Sequence, residues 1–146
     1  MALLISLVLL SLLSMLGLSA LQNATLQAKM AASLLQHHRA FQAAEAALRL
    51  GEAAVRRHGK GWAPCSGTVQ CAPPAESPVV DSAGLQPGSA VTWVATGNGF
   101  YGVQNLGTTQ DAVHLPPGTV AKLYRVTGIG LAGQARSVLE TVYAIY

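Results

Sequence analysis

Few side chains in this sequence have the types and spacing that catalysis requires. The chain holds six acidic residues, which leaves little material for general acid–base chemistry. It has no Gly-x-Ser-x-Gly turn for a serine nucleophile, and no close pair of carboxylates in a predicted cleft. Asp111 and His114 are close in sequence, but no serine or cysteine lies near them, and ordinary loop polarity accounts for both. We predict no catalytic residue and no enzyme activity.

The histidines and the paired glycines also lack the patterns of ligand sites. His37 and His38 are adjacent, so in a helix they point about 100° apart and do not form the i,i+4 pair that binds metal. The glycine pairs within residues 97–99 and 128–130 are not followed by a helix of the kind that cradles phosphate, and we interpret them as turns. We predict no metal site and no cofactor.

Cys65 and Cys71 are the two cysteines of the chain, and we predict that they form a disulfide. A structural zinc site needs four ligands, and the nearest histidine, His58, does not supply the missing pair. Closing so short a loop contributes about 2 kcal/mol in the chain-entropy model. A structural disulfide forms in an oxidising compartment. We therefore expect the N-terminus in the cytoplasm and the chain beyond about residue 28 outside the membrane.

Arg56, Arg57, His58 and Lys60 form a basic cluster near the end of a predicted helix. Cations are favourably placed at a helix C-terminus, and this interpretation is preferred. The alternative is binding of DNA or anionic lipid headgroups, with a salt-sensitive affinity as its sign. Aromatic residues that could stack on bases are not interleaved with the basic residues, so the sequence does not favour nucleic acid as a partner.

Apolar residues are concentrated at the front of the chain, whose 146 residues suit one domain. Only 10% of all residues are charged, against roughly 25% in typical soluble domains. No charged side chain occurs before Lys29, and ten of the first 21 residues are leucine. About 20 such residues cross a bilayer. A cleaved signal peptide is the competing interpretation, but nothing basic precedes this run and the run is too long. We predict a retained membrane helix.

The helix is expected to continue beyond the membrane because no proline occurs before Pro64. Apolar residues recur every seven positions and predict one buried face. The expected face consists of Leu34, Phe41, Leu48 and Val55, with Met30, Ala44 and Gly51 between them. Gly59 and Gly61 are expected to end the helix after nearly 60 residues, roughly 85 Å at 1.5 Å per residue.

Two ion pairs and a sheet are predicted around the second half of this helix. Glu45–Arg49 and Glu52–Arg56 have the favourable i,i+4 order. Residues 62–88 are rich in proline, glycine and serine and predict an irregular connection. Four β-prone runs follow, at residues 90–96, 100–106, 120–127 and 136–145. Gly97-Asn-Gly99 predicts a hairpin and residues 127–133 a looser turn, so the sheet is expected to be antiparallel.

The predicted fold class is α+β, with one long N-terminal helix packed on a C-terminal antiparallel sheet of about four strands. We divide the chain into a transmembrane and polymerisation half-helix at 1–28, an amphipathic half-helix at 29–58, a disulfide-stapled connecting region at 59–89 and the sheet at 90–146. Residues 29–146 are expected to form one globular domain.

This arrangement resembles the type IV pilins, and three N-terminal segments narrow the resemblance to the PilX-type minor pilins. The segments are Gly17-Leu-Ser-Ala-Leu21, Thr25-Leu-Gln-Ala-Lys-Met-Ala31 and Ala40-Phe-Gln-Ala-Ala-Glu-Ala-Ala-Leu-Arg49. The ending Tyr124-Arg-Val-Thr-Gly-Ile-Gly130, followed by Val138–Tyr143, is similar to the last two strands of that group. The resemblance implies a pilin-like fold and an N-methylated Met1, provided that Met1 is the first residue of the mature form and not an initiator.

Position five departs from the pattern of most pilins, which have a glutamate there that neutralises the terminal amine of a neighbouring subunit. This chain has Ile5. The PilX-type pilins and the K-type pseudopilins share that absence. A subunit at the extreme tip has no subunit ahead of it whose buried amine needs a counter-charge, so we expect a tip position. Small residues such as Gly17 are expected to let neighbouring helices approach, and Glu45 to pair with a neighbour or along its own helix.

The resemblance implies a structural subunit of a priming complex that initiates pilus assembly and helps display a tip adhesin. Its implied partners are other minor pilins, the major pilin, the inner-membrane assembly platform and, in many systems, a large tip adhesin. The implied location is the bacterial inner membrane, with the C-terminal domain periplasmic, and then the pilus tip. The alternatives are a minor pseudopilin of a type II secretion system and a DNA-binding or adhesive minor pilin. K-type pseudopilins usually carry a large extra domain, for which 146 residues leave no room.

Overall fold

One long helix precedes a five-stranded sheet in this protein, for which a computed structural model describes residues 2–58, 61–112, 116 and 118–146. Four residues named above, Met1, Gly59, Lys60 and His114, lie outside the described residues. The elements in chain order are α1 (Ala2–His58), α2 (Gly67–Gln70), β1 (Gly84–Gln86), β2 (Val91–Thr96), β3 (Gly99–Thr109), β4 (Ala121–Ala132) and β5 (Ala135–Ile145).

The sheet is an antiparallel meander in which each strand pairs with the next along the chain, in the order β1 to β5. The predicted hairpin is confirmed, because Thr96 pairs with Gly99 around a two-residue Gly97–Asn98 turn. The predicted α+β class, with a long helix and an antiparallel sheet, is also confirmed. The fifth strand, β1, was not predicted, because its three residues lie inside the proline- and glycine-rich connection.

Glycines 128 and 130 lie within β4, so their interpretation as a turn is wrong. The strand runs on to Ala132, and the actual turn contains Gly133, whose φ of 59° suits glycine. Glycine marks a turn in most sequences, but it also marks a strand position where another backbone approaches closely. Gly128 and Gly130 are of this second kind.

The predicted buried face of α1 is confirmed for Ala44, Gly51 and Val55, and Leu48 packs against the core beside them, but the other three predicted residues are exposed. Leu34 is 59% exposed, Phe41 44% and Met30 65%, so the seven-residue repeat of large apolar residues is not the packing face there. The buried residues of the helix are nearly all small: Ala40, Ala44, Ala47, Gly51, Ala54 and Val55. Small side chains bury little apolar area each but allow the helix axis to come close to the sheet.

The buried alanines of α1, which we call its alanine face, lie against the two glycines of β4 so closely that the two backbones are in contact. A Cβ added at Gly128 would lie 2.6 Å from the carbonyl oxygen of Ala44 and 2.9 Å from Leu48 Cγ. A Cβ at Gly130 would overlap the carbonyl oxygen of Ala40. On the helix side, Gly51 similarly leaves room for a strand side chain, that of Val126. The helix and the sheet therefore fit only while these positions lack side chains.

The two faces of the sheet carry separate apolar cores, since successive strand residues point to opposite faces. One core contains Val55 of α1 with Tyr124 and Val126 of β4. The other contains Val80, Val91, Trp93, Phe100 and Ile129, with Leu131 packed against it. Ile129 and Val126 are an odd number of residues apart in β4, which puts the second core on the face away from the helix.

Residues 62–83, which we call the connector, are bound to the sheet mainly through their main-chain carbonyl groups. Gln104 Nε2 donates to the carbonyl oxygens of Gln70, at 2.7 Å, and Ala72, at 3.1 Å. Arg125 Nη1 donates to the carbonyl oxygen of Cys71 at 2.6 Å, and the Arg125 side chain also pairs with Glu140. Buried or half-buried polar side chains of this kind need partners, and the connector supplies them.

The same bonding continues at both ends of the connector. Asn105 Nδ2 donates to the carbonyl oxygen of Trp62 at 2.8 Å, and Arg136 Nη1 donates to that of Val80 at 2.7 Å. Glu76 uses its side chain instead, and accepts hydrogen bonds from the Ser89 hydroxyl and from Trp93 Nε1.

The predicted disulfide is present between Cys65 and Cys71, with 5.3 Å between their Cα atoms. It encloses the short helix α2, and the main chain of both cysteines is bonded to the sheet. The disulfide therefore constrains a short part of the connector that is already hydrogen-bonded to the strands.

The substitution Gly130→Ala should lower the free energy of unfolding by about 3 kcal/mol, at the upper end of overpacking costs, because the new Cβ meets a backbone atom that no rotamer change can move. Urea unfolding of the full chain in detergent, followed by tryptophan fluorescence, measures the effect. Gly88→Ala is the matched control, since a Cβ there meets nothing within 4 Å. Equal destabilisation by both substitutions would contradict the close-contact account.

Replacing Cys65 and Cys71 together by serine should lower the free energy of unfolding by about 2 kcal/mol, because the loop they close is short. The same urea titration measures it. Dithiothreitol should produce the same loss in the wild-type chain and no further loss in the double variant. A reductant effect on the variant would show that the stabilisation comes from elsewhere.

Candidate functional site

The first half of α1 presents large apolar side chains to the outside of the chain. Every described residue before Ala40 is exposed, and the exposed large apolar ones include Leu3, Leu10, Met15 and Leu21. The mean hydropathy of its most apolar 18-residue window is 2.4. By length and composition this helix is able to cross a membrane. Leucines exposed to this extent need lipid or another helix around them.

Four hydroxyl groups within this apolar segment are satisfied by its own backbone. The side chains of Ser6, Ser11, Ser14 and Thr25 each donate a hydrogen bond of 2.8–2.9 Å to a carbonyl oxygen three or four residues earlier. Such bonds keep a polar group paired where no water is available. At these positions the helix therefore presents small side chains, whose hydroxyls are already paired, to lipid or to a partner helix.

Ile5 and Gly17, two of the predicted assembly residues, lie on α1 within this segment. Ile5 is 62% exposed, and a Cβ added at Gly17 would meet nothing within 4 Å. Both positions are thus accessible to another molecule. Met1, the third predicted position at this end, lies outside the described residues.

Glu45 is exposed on α1, and its predicted ion pair with Arg49 does not form. The Glu52–Arg56 pair is likewise wrong, since the one ion pair among the described residues joins Arg125 and Glu140. Exposed i,i+4 pairs gain only a few tenths of a kcal/mol, which is too little to order two long side chains. The carboxylate of Glu45 is therefore available to a partner.

Residues of the sheet lie beside the basic cluster at the end of α1, which the sequence did not indicate. The guanidinium of Arg56 lies 5.8 Å from the centre of the Tyr143 ring on β5. Arg57 Nε donates to the carbonyl oxygen of Ala53 at 3.3 Å, as expected near a helix C-terminus. Lys122 of β4 lines the same cavity as both arginines. Sequence reasoning missed Lys122 and Tyr143, because strand pairing alone brings them here.

No group of three or more potential metal ligands occurs among the described residues. His37 and His38 are both exposed on α1, and Asp111 is exposed after β3. The predicted proximity of Asp111 to His114 involves a residue outside the described part of the chain.

The connector exposes apolar side chains to the surroundings. Val69 is 71% exposed and Val79 is 73% exposed, although the segment that carries them is fixed by the disulfide and by sheet side chains. Loops on a rigid scaffold are common positions for binding residues. Residues 107–118, which include the connection between β3 and β4, are described only in part.

Residues 1–49 match the family model described as PilX N-terminal. No curated protein and no solved structure shows a significant match to the chain. The matched residues comprise the apolar part of α1 and the first part of its alanine face, both described above. The same residues carry the resemblance seen in the sequence. Residues 1–49 are therefore similar to the PilX N-terminal family, and this similarity supports a relation to the PilX-type pilins of the type IV pilus system.

Proposed function

We propose that this protein is a minor pilin, a structural subunit of a tip-located priming complex that initiates type IV pilus assembly. The observation that carries the proposal is the exposed apolar first half of α1, which also matches the PilX N-terminal family. A segment with this much exposed leucine is stable only in lipid or among other helices. A pilus subunit needs it in both environments, first in the inner membrane and then in the fibre.

Assembly exchanges lipid contacts for helix–helix contacts along this segment. Because lipid tails and leucine side chains are equally apolar, close packing supplies most of the gain. Small residues allow that packing, and the hydroxyls of Ser6, Ser11 and Ser14 are already paired within the helix. The small residues of the segment are Ser6, Ser11, Ser14, Gly17, Ser19 and Ala20.

Ile5 supports a position at or near the tip. A subunit within a fibre has a neighbour ahead whose terminal amine requires a counter-charge once it is removed from water. The aliphatic side chain of Ile5 offers none and is exposed on the helix surface. A subunit that leads the fibre has no such neighbour, so an aliphatic residue is suitable there. N-methylation of Met1 belongs to the same proposal.

The sheet and the connector form the part of the subunit that meets other proteins outside the membrane. In this proposal residues 1–28 are the membrane and polymerisation segment, and residues 29–146 form the periplasmic domain before assembly. The partners are other minor pilins, the major pilin, the inner-membrane assembly platform and a large tip adhesin. Glu45 and the apolar residues of the connector are exposed on surfaces that such partners would contact.

Deletion of the gene should abolish or strongly reduce surface pili, because a priming subunit acts before the shaft elongates. Pili counted by electron microscopy, together with pilin in sheared fractions, measure the effect, and expression from a plasmid should restore both. Normal pili with reduced protein secretion would instead identify a pseudopilin. Normal piliation, motility and secretion together would overturn the proposal.

Immunogold labelling of fibres should place this subunit at one end, and Ile5→Glu should not increase its amount in sheared pili. The added carboxylate has no amine ahead of it at a tip position, and its charge disfavours membrane insertion. Ile5→Gln is the matched control, since it adds polarity without charge. Label along whole shafts, or greater incorporation of the glutamate variant alone, would contradict tip placement.

A further inference from the structure

A cavity of about 710 Å³ lies where the last turn of α1 meets β4 and β5. Its apolar lining includes Val55, Tyr124 and Ile145, and Val55 and Tyr124 are almost completely buried. Trp62 packs edge-on against Tyr124, with 6.2 Å between ring centres, which makes this lining rigid. The volume is in the range of sites that enclose a small molecule or one or two side chains.

Four basic side chains line this cavity. Arg56, Arg57 and His58 come from the helix, and Lys122 comes from the start of β4. No aspartate or glutamate is among its lining residues, and none of the four basic side chains forms an ion pair with a described carboxylate. The phenol of Tyr124 is neutral at ordinary pH, and burial raises its pKa further above the usual value of 10.0.

Aromatic rings lie next to these cations although they are distant in sequence. Arg56 lies over Tyr143, and Tyr146, which is 83% exposed, lines the cavity as well. An arginine held against a ring keeps its remaining N–H groups in a fixed orientation toward an incoming anion.

Favourable placement at a helix C-terminus does not account for this arrangement. Only Arg57 among the four basic residues has a hydrogen bond to a helix carbonyl group among the described residues. The helix dipole favours any cation at this end, including Lys122 of β4, but it does not account for the apolar and aromatic residues that line the cavity beside them. A basic rim around an apolar floor has the chemistry of a binding site for an amphipathic anion.

We propose that this cavity binds an acidic segment of a neighbouring protein chain, with an aromatic or aliphatic side chain on the apolar floor and adjacent carboxylates on the basic rim. The concave apolar floor favours this ligand over nucleic acid, whose regularly spaced phosphates suit an extended basic groove. Charge complementarity selects the acidic segment among protein ligands. The inference rests on the proposed function only in assigning that segment to another pilus subunit.

The test uses the full chain in phosphatidylcholine nanodiscs and a rhodamine-labelled, end-blocked peptide that has one phenylalanine between aspartates. Fluorescence anisotropy should show saturable binding that weakens as salt is raised, since exposed charges are screened. Lys122→Glu should weaken binding about tenfold or more, because an attraction becomes a repulsion. Arg39→Glu, an equal charge change outside the cavity, should leave binding within about twofold.

Three further probes separate the parts of the proposal. The same peptide with asparagine for aspartate, and another with serine for phenylalanine, should each bind at least several-fold more weakly. A labelled oligodeoxythymidine should bind more weakly than the acidic peptide. Equal binding of the asparagine peptide, equal loss in the Arg39 and Lys122 variants, or tighter binding of the oligonucleotide would each overturn the proposal.

Two measurements keep the result interpretable. Lys122 is exposed, so its variant should retain the wild-type urea midpoint, and an anisotropy loss then reports the site and not the fold. Binding of the peptide does not require fibres. If the protein binds the peptide but is dispensable for pili, only the proposed function is refuted. If the protein is required for pili but does not bind the peptide, only this inference is refuted.

Discussion

The structure depends on a contact between two backbones, that of α1 and that of β4. Gly128 and Gly130 have no side chains, so the alanine face of the helix lies directly on the strand. A contact of this kind buries little apolar surface per residue. It brings many atoms to van der Waals distance, however, and their dispersion energies add up. The larger residues Tyr124 and Val126 then close one end of the same interface around Val55. The position of the helix on the sheet fixes the basic cavity, because its cations come from both elements.

Much of this fold could be predicted from the sequence, for reasons of local physics. The absence of proline before residue 64 and the long charge-free run predict a long helix, and the Gly97–Asn98 turn predicts the β2–β3 hairpin. The register of the buried helix face was not predictable in the same way. Periodicity weights large apolar residues such as Phe41, whereas this interface selects mainly small ones. The buried face is therefore rotated from the predicted one, although the two share Ala44, Gly51 and Val55.

The candidate site was predictable only where one element carries it. The exposed apolar segment, with Ile5 and Gly17, lies on α1 and could be identified from composition. The basic cavity combines α1 with β4 and β5, and the sequence distance from Arg56 to Lys122 hides their proximity. The sequence did contain a signal for the attachment of the connector to the sheet. Gln104 and Arg125 interrupt apolar strands at directly paired positions, and polar groups there require partners.

The way the connector is attached has a consequence for its evolution. The strand side chains that hold it recognise carbonyl oxygens, for example those of Cys71 and Val80, and every residue type carries such an oxygen. The exceptions are Glu76, whose own carboxylate forms an attachment, Val80 and Trp62, whose side chains are packed, and the two cysteines of the disulfide. Most other side chains of this segment are free to diversify while the segment stays in place. A lineage is thereby able to alter what this outer surface recognises and leave the scaffold beneath it untouched.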